Sequence, residues 1–180
     1  MLYADDCILL SETPAGLQSH LNALYEYNER WSLTVNIEKT KVIEKRGVIL
    51  VNESWSYNGN VIEIVEQFDY LGFVISTNGS VKKGIDILAV KARTSMESLY
   101  SIMRGMDIPI DIKLNLFDAY VSTILCYSSE IWGLCDAEVI ERVHLCYIKR
   151  ILDVKRTTTS NAIYGETGRF PLIINRKYVW

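Results

Sequence analysis

The sequence predicts an α+β fold: a small, largely antiparallel β-rich portion containing one helix up to about Gly79, then a helical portion of three helices. Three observations predict it. β-Branched and aromatic residues broken by Asn-Gly turn signals fill most of the stretch from Leu33 to Gly79. From Val81 onward the apolar period changes from two to 3.6. No Pro/Ser-rich linker intervenes, so 1–79 and 80–180 are read as two portions of one continuous unit.

The elements follow in order. Tyr3-Ala4-Asp5-Asp6 runs directly into the apolar Cys7-Ile8-Leu9-Leu10, the pattern of a hairpin with acids at its tip and strands buried on either side. Ser11-Glu12-Thr13-Pro14 is a helix start, with Thr13 as N-cap. Leu17, Leu21, Leu24 and Trp31 then keep helical spacing, with Gln18, Asn22, Glu26 and Glu29 on the other face. Leu33 to Ile43 reads as extended chain leading into a strand from about Thr40 to Lys45. Trp55 to Ile64 is a hairpin, because Asn58-Gly59 suits a two-residue primed turn. Phe68 to Ile75 reads as one strand closed by Thr77-Asn78-Gly79, with Gly72 at a bulge or a close backbone approach.

In the second portion, Ile85, Leu88, Ala92, Leu99, Ile102 and Met106 mark a long amphipathic helix ending near Gly105. A second helix carries Leu116, Phe117, Tyr120, Val121, Ile124 and Leu125 and stops around Trp132-Gly133. Asp136 caps a third, with Ile140, Val143, Tyr147, Ile148 and Ile151 inward and Arg142, Lys149 and Arg150 on the polar side. Thr157 to Asn161 leads into a turn-rich tail around Gly165 to Leu172.

Apolar residues make up 49% of the 180 residues and charged residues 23%, ordinary values for a globular chain that needs no staple to fold. The net charge of −3 excludes a global basic bias, so any polyanion site is a local patch. Lys82, Lys83, Lys91, Arg93 and Arg104 supply such a patch on the first long helix. Cys7, Cys126, Cys135 and Cys146 show no Cys-x-x-Cys pair and read as buried thiols of a reducing compartment. His144-Leu145-Cys146 with Cys135 matches no standard structural zinc spacing. No apolar run approaches the roughly 18 residues that span a bilayer.

The chemistry concentrates at Asp5-Asp6. Asp is a poor strand former and a good turn former, so two of them among strand-like residues mark either a solvated turn or a functional one. Hard oxygen donors at a loop tip suit Mg²⁺, which takes one or two carboxylates together with substrate phosphates.

Three motifs in order carry a family resemblance. Tyr3-Ala4-Asp5-Asp6 resembles the Tyr-x-Asp-Asp turn of reverse transcriptases. Asn36-Ile37-Glu38-Lys39-Thr40-Lys41 resembles their following Asn-x-x-Lys-Thr palm motif, and Phe68-Asp69-Tyr70-Leu71-Gly72 their primer-gripping hairpin. Order and spacing are similar to those of non-LTR (LINE-type) retrotransposon polymerases. Ile131-Trp132-Gly133, Ile151-Leu152-Asp153-Val154 and Gly165 to Leu172 extend the likeness over essentially the whole chain.

The resemblance implies a partial palm at 1–79 and a thumb-like helical region at 80–180. It implies Asp5 as a ligand of Mg²⁺ (or Mn²⁺), Asp6 as a secondary carboxylate, and Tyr3 near the primer terminus. Lys39, with Lys41 as the alternative, would stand near the departing pyrophosphate. Leu71 and Gly72 would shape the primer grip, and the partners would be an RNA template and a DNA primer. An element of this class would have to act on chromosomal DNA, so the resemblance implies an intracellular location, nucleus or cytoplasm, which the residues themselves do not specify.

The family's two-metal site also needs an aspartate from an earlier strand. Met1 stands directly before the acidic motif, so the expectation is a fragment, inactive alone and completed by an upstream polymerase segment. Asp69 and Asp86 are carboxylates outside any matching context. Two rival readings are a non-catalytic nucleic-acid-binding or interaction module and a relic reading frame.

Overall fold

A computed structural model of the chain describes residues 2–3, 5–44, 54–135 and 138–177. Two compact units divide it, Met1–Ser80 and Val81–Trp180.

In the first unit, β1 (Leu2–Tyr3) and β2 (Asp6–Cys7) form an antiparallel ribbon with Leu2 opposite Cys7 and Tyr3 opposite Asp6. Helix α1 (Pro14–Trp31) begins as its sequence dictates: the Thr13 hydroxyl accepts from the Gly16 amide at 3.1 Å, and Pro14 occupies the first turn. It ends at Ser32, whose left-handed backbone returns its N–H to the carbonyls of Asn28 and Glu29.

A three-stranded sheet packs on α1. Its central strand β5 (Asn60–Ile64) pairs antiparallel with β4 (Trp55–Tyr57) and parallel with β3 (Lys41–Val42). The β4–β5 hairpin turns through Asn58 and Gly59, both at positive φ, as a two-residue primed turn requires. Leu21, Val42, Trp55, Tyr57 and Ile62 form the core, with Leu9, Leu17, Leu24, Tyr25, Val35 and Ile37 against it. The Gln18 amide reads the outer edge of β4, donating to the Ser56 carbonyl at 2.8 Å and accepting from its N–H at 3.0 Å. That covers an otherwise open edge. Gln18 therefore belongs to the packed side of α1, not the solvent face expected of it. Trp31 is exposed instead of buried; the inward position near the helix end is Asn28, whose Nδ2 donates to the Tyr57 hydroxyl at 2.9 Å.

The segment read as one strand from Phe68 to Ile75 is a second hairpin, β6 (Gln67–Tyr70) and β7 (Phe73–Ser76). Leu71 (φ 51°) and Gly72 (φ 81°) make its turn, so Gly72 is not at a bulge.

In the second unit, α2 (Lys82–Met103) buries Ile85, Leu88, Ala89, Ala92, Met96, Leu99 and Met103. Ile102 and Met106, expected to continue this stripe, are exposed: Ile102 lies off the packed arc and Met106 falls beyond the last turn. The expected second helix is interrupted. It comprises α3 (Ile110–Phe117), a π-turn at Asp118–Ser122, α4 (Thr123–Leu125) and, after Ser128 at φ 54°, α5 (Ser129–Trp132). Phe117, Val121, Leu125 and Trp132 stay fully buried through these breaks, whereas Tyr120 is exposed. Helix α6 (Glu138–Ile151) packs on α2 and α3 through Ile140, Val143, Tyr147 and Ile148. The proposed cap Asp136 lies outside the described residues. The tail is helical, not turn-rich: α7 (Ser160–Thr167) ends at the left-handed Gly168, and α8 (Leu172–Lys177) follows.

The thiol expectation is also corrected. Cys7, Cys135 and Cys146 are exposed and Cys126 is half-buried. Among the described residues no helix is long and apolar enough to cross a membrane.

Candidate functional site

The acidic motif is a hairpin, but its second strand is exposed rather than buried. Asp5 lies in the turn, Asp6 opens β2, and Asp5, Asp6 and Cys7 are all exposed. The ribbon has two strands, and so small a sheet has too little apolar area to bury both faces. Leu10 remains exposed, and the apolar run reaches the core only through Leu9. Successive strand residues face opposite ways, so the Asp6 carboxylate and the Cys7 thiol point to opposite sides.

Two solvated carboxylates on adjacent residues are chemically suited to a divalent cation, and the reverse transcriptase family generally uses such metals. They do not complete a site. Among the described residues no group of three or more His, Cys, Asp or Glu side chains is placed to hold a metal ion, and this includes His144, Cys135 and Cys146.

The lysine motif is a turn built by its own asparagine. Asn36 Oδ1 accepts from the Lys39 amide at 3.1 Å, and the Asn36 carbonyl accepts from the Thr40 amide at 3.0 Å and hydroxyl at 2.8 Å. Lys39 rides on this turn, exposed, with no side-chain hydrogen bond or ion pair among the described residues. Lys41 differs. It lies in β3 opposite Glu63 of β5, and its ammonium pairs with that carboxylate at 2.5 Å. Neither Asp5 nor Asp6 forms an ion pair with Lys39 among the described residues.

Leu71 and Gly72 form the tip of the β6–β7 hairpin, where two left-handed residues turn the chain back on itself. Tyr3 is in β1, in register with Asp6.

Lys82, Lys83, Lys91 and Arg93 are all exposed on α2, within the second unit. Acids interrupt the basic face: Asp86 and Glu97 each follow a base by four residues, at Lys82 and Arg93. Glu97 is taken by Arg150 of α6, which donates to both its oxygens at 2.8 and 2.9 Å. Arg150 is thus fixed in place, with its guanidinium carbon 3.8 Å above the Tyr100 ring. The sequence placed Arg150 only on a polar face; its pairing across two helices left no local signal.

A second polar junction was also missed. Glu141, half-buried on α6, accepts from His144 Nδ1 at 2.9 Å, from the Tyr164 hydroxyl of α7 and from the Leu172 amide of α8 at 2.8 Å. Nearby, Arg169 forks onto Asp118 in the π-turn and also donates to the Leu114 carbonyl at 3.1 Å. The Gly165–Leu172 motif is therefore a clasp on the helical unit.

Comparison with known proteins finds the following likenesses. A family model described as reverse transcriptase (RNA-dependent DNA polymerase) matches residues 1–75. The chain is 23% identical over 160 residues to the RNA-directed DNA polymerase from mobile element jockey of Drosophila funebris, covering 85% of this chain and 17% of that protein. Its Drosophila melanogaster counterpart is 20% identical over 156 residues, covering 83% and 17%. A transposon-derived protein of Caenorhabditis elegans is 26% identical over 164 residues, covering 86% and 57%. No solved structure matches. The chain thus spans about a sixth of the length of the jockey polymerases, while the matches cover most of the chain itself.

Proposed function

We propose, from the match of residues 1–75 to the reverse transcriptase family model, that this chain serves as the late palm and thumb-like part of a LINE-type RNA-directed DNA polymerase. The observation that carries the reading is common to all three motifs. Asp5-Asp6, Lys39 and Leu71-Gly72 occur in the family's order, and each sits on a tight turn. Turns on a packed scaffold are where reacting groups reach a substrate.

The parent reaction is nucleotidyl transfer to a primer 3′-end on an RNA template. Asp5 would hold Mg²⁺ or Mn²⁺, with Asp6 beside it shaping the local field. When bound, the divalent ions supply positive charge for the attacking 3′-oxygen and the leaving pyrophosphate. Lys39, free on its turn, takes the position beside the departing pyrophosphate, and Lys41 is spent on Glu63. Tyr3 lies near the primer terminus, and the Leu71-Gly72 tip lets the strand approach closely. Lys82, Lys83, Lys91 and Arg93 meet phosphates along the duplex. With only Asp5 and Asp6 contributed, metal binding is weak in the absence of substrate phosphates. The chain depends on an upstream polymerase segment for the rest of the site.

The test is primer extension on an RNA template with Mg²⁺ or Mn²⁺. It compares the 180-residue chain with a chimera in which that chain replaces the matching segment of the Drosophila funebris jockey polymerase. The chain alone should be silent, because transfer depends on positioning by groups that act together. The chimera should extend the primer, and Asp5→Asn should lower its rate by roughly a thousandfold or more. A chimera whose extension is indifferent to Asp5→Asn overturns the assignment of that residue. Extension by the chain alone overturns its dependence on an upstream segment.

A further inference from the structure

We infer that Thr159 is a phosphorylation site, the acceptor for a protein kinase that selects its substrates by basic residues preceding the hydroxyl. Thr159 lies on the connection between α6 and α7, residues 152–159. The polymerase reading leaves this connection without a role, and the modification does not depend on that reading.

Thr157, Thr158, Thr159 and Ser160 stand in a row directly after Lys155-Arg156. A kinase takes its acceptor from extended chain, with the hydroxyl clear of the protein and the flanking charges open to its substrate cleft. The structure separates the four hydroxyls. Thr158 and Ser160 are half-buried; the Thr158 amide donates to the Lys155 carbonyl at 3.0 Å, closing a turn, and Ser160 opens α7. Thr157 is exposed but lies within that turn. Thr159 is the one of the four that is exposed and outside both turn and helix, with extended backbone at φ −65° and ψ 144°. Its side chain makes no capping hydrogen bond to α7, so modification displaces no cap.

The bases that such a kinase reads are equally open. Arg156 stands three residues before Thr159 and Lys155 four before, both exposed. Neither side chain has an ion pair or hydrogen bond among the described residues. The main chain beneath them is pinned: Lys149 of α6 donates from Nζ to the Arg156 carbonyl at 2.8 Å, while the guanidinium itself stays in solvent. Asp153, six residues before Thr159, is the one acid of the connection, so the charge around the acceptor is basic. The reaction is phosphoryl transfer. Thr159 Oγ1 bonds to the γ-phosphorus of ATP as the bond from that phosphorus to the bridging β–γ oxygen breaks; ADP leaves, and the hydroxyl proton passes to the kinase's catalytic carboxylate. The product adds about two negative charges at pH 7 to a connection that carries Lys149, Lys155 and Arg156 at its base and along its length. Charge-assisted hydrogen bonds to these cations order the connection, and with it the link to α7, whose Tyr164 holds Glu141.

The experiment incubates the full chain with ATP, Mg²⁺ and a calmodulin-dependent protein kinase, which reads arginine three residues before its acceptor. A parallel reaction uses an acid-directed casein kinase. Phosphorylated positions are mapped by mass spectrometry in the unmodified chain and in Thr158→Ala, Thr159→Ala and Arg156→Ala, each shown by circular dichroism to be folded. The first kinase should place phosphate on Thr159, and the casein kinase should not. Thr159→Ala should abolish incorporation and Thr158→Ala should leave it intact. Arg156→Ala should lower kcat/KM for phosphorylation by about tenfold or more, as loss of a charge-assisted contact predicts. In the phosphorylated chain, amide hydrogen exchange over residues 155–161 should slow by about tenfold. No incorporation, phosphate on Thr157, Thr158 or Ser160 in place of Thr159, or incorporation indifferent to Arg156→Ala overturns the site. Equal modification by the casein kinase overturns its recognition by basic residues. Unchanged exchange in the phosphorylated chain overturns the ordering of the connection.

Discussion

Replacing Glu141 with glutamine tests the polar junction that holds the C-terminal helices to the helical unit. The carboxylate takes three hydrogen bonds: Oε1 accepts from His144 Nδ1 and Tyr164 Oη, and Oε2 accepts from the Leu172 amide. Its side chain is only 19% exposed, so solvent screens it little. Glutamine has one acceptor oxygen. If that oxygen stays with His144 and Tyr164, the Leu172 N–H faces an NH₂ group; if it turns to Leu172, the other two donors lose their partner. A hydrogen bond to an ionised group contributes roughly 1.5–3 kcal/mol, so losing one and weakening the others costs about 2 kcal/mol. For a chain of this length that is a fall in Tm of about 6 °C at pH 7. The pH dependence carries a sign. Burial raises the Glu141 pKa, but the hydrogen bonds from His144 and Tyr164, the charge of His144 and the Leu172 amide outweigh it, leaving the group below the usual carboxylate range. Its contribution is therefore fully present above the unfolded value of about 4.3 and is lost as pH falls through the lower folded value. Thermal melts by circular dichroism from pH 7 to pH 3 should show a clear gap between the two proteins that closes in acid. A gap under about 0.5 kcal/mol at pH 7, within the ordinary scatter of surface substitutions, or one that stays constant to pH 3, refutes the reasoning.

Two further outcomes separate structural from chemical roles in the first unit. Leu71 sits at φ 51° and Gly72 at φ 81°, where only glycine, and to a lesser extent asparagine, is unstrained. Leu71→Asn should raise the urea midpoint by the equivalent of about 0.5–1 kcal/mol and Gly72→Ala should lower it by about 1 kcal/mol; the opposite signs would mean the turn is not of this type. Lys39→Ala in the chimeric polymerase should lower kcat by a hundredfold or more, in line with the roughly 10²–10⁴ attributed to positioned proton donors, with Tm unchanged. Lys41→Ala should lower stability by under about 1 kcal/mol, as expected of a surface pair, and leave kcat nearly intact. The reverse pattern would exchange the two lysines.

Where a local rule decided the structure, the sequence was readable. Thr13-Pro14 starts α1 and Asn58-Gly59 turns the β4–β5 hairpin because capping and primed-turn geometry need nothing from the rest of the chain. The failures occur where tertiary contacts override a local preference. Leucine is a poor residue for a left-handed turn, so Leu71 disguised the β6–β7 hairpin as one long strand. From α3 to α5 the apolar period hides two breaks, because Phe117, Val121, Leu125 and Trp132 stay buried across the π-turn and across Ser128. Gly165 and Gly168 looked like a turn-rich tail, yet Gly165 lies inside α7 and only Gly168 ends it; burial of Ile163 and Leu172 anchors helices that propensity alone disfavours. The different surroundings of Lys39 and Lys41 could not be read locally either. The ion pair of Lys41 arises from the parallel register that sets it opposite Glu63, two elements away in sequence.

The three motif turns are not held equally, and the difference bears on how the site is assembled. The Lys39 turn is fixed by the Asn36 side chain and carbonyl, and the Leu71-Gly72 turn by two left-handed residues within a hairpin of four paired positions. The acidic turn has only the two-residue ribbon Leu2–Tyr3 and Asp6–Cys7 beneath it, with both carboxylates in water. A ribbon that short is marginal on its own hydrogen bonds. On the proposed reading, the carboxylates assigned to transfer are thus the least constrained by this chain, while the turns of Lys39 and of Leu71-Gly72 are already set. It follows that docking of a neighbouring polymerase segment should order the acidic hairpin most and the other two turns least. Amide hydrogen exchange in the chimera, compared with the 180-residue chain, should show new protection concentrated at Asp6 and Cys7, with Lys39 and Thr40 nearly unchanged. Equal protection gained across all three turns would mean that the whole first unit, rather than its acidic hairpin, is completed by the partner segment.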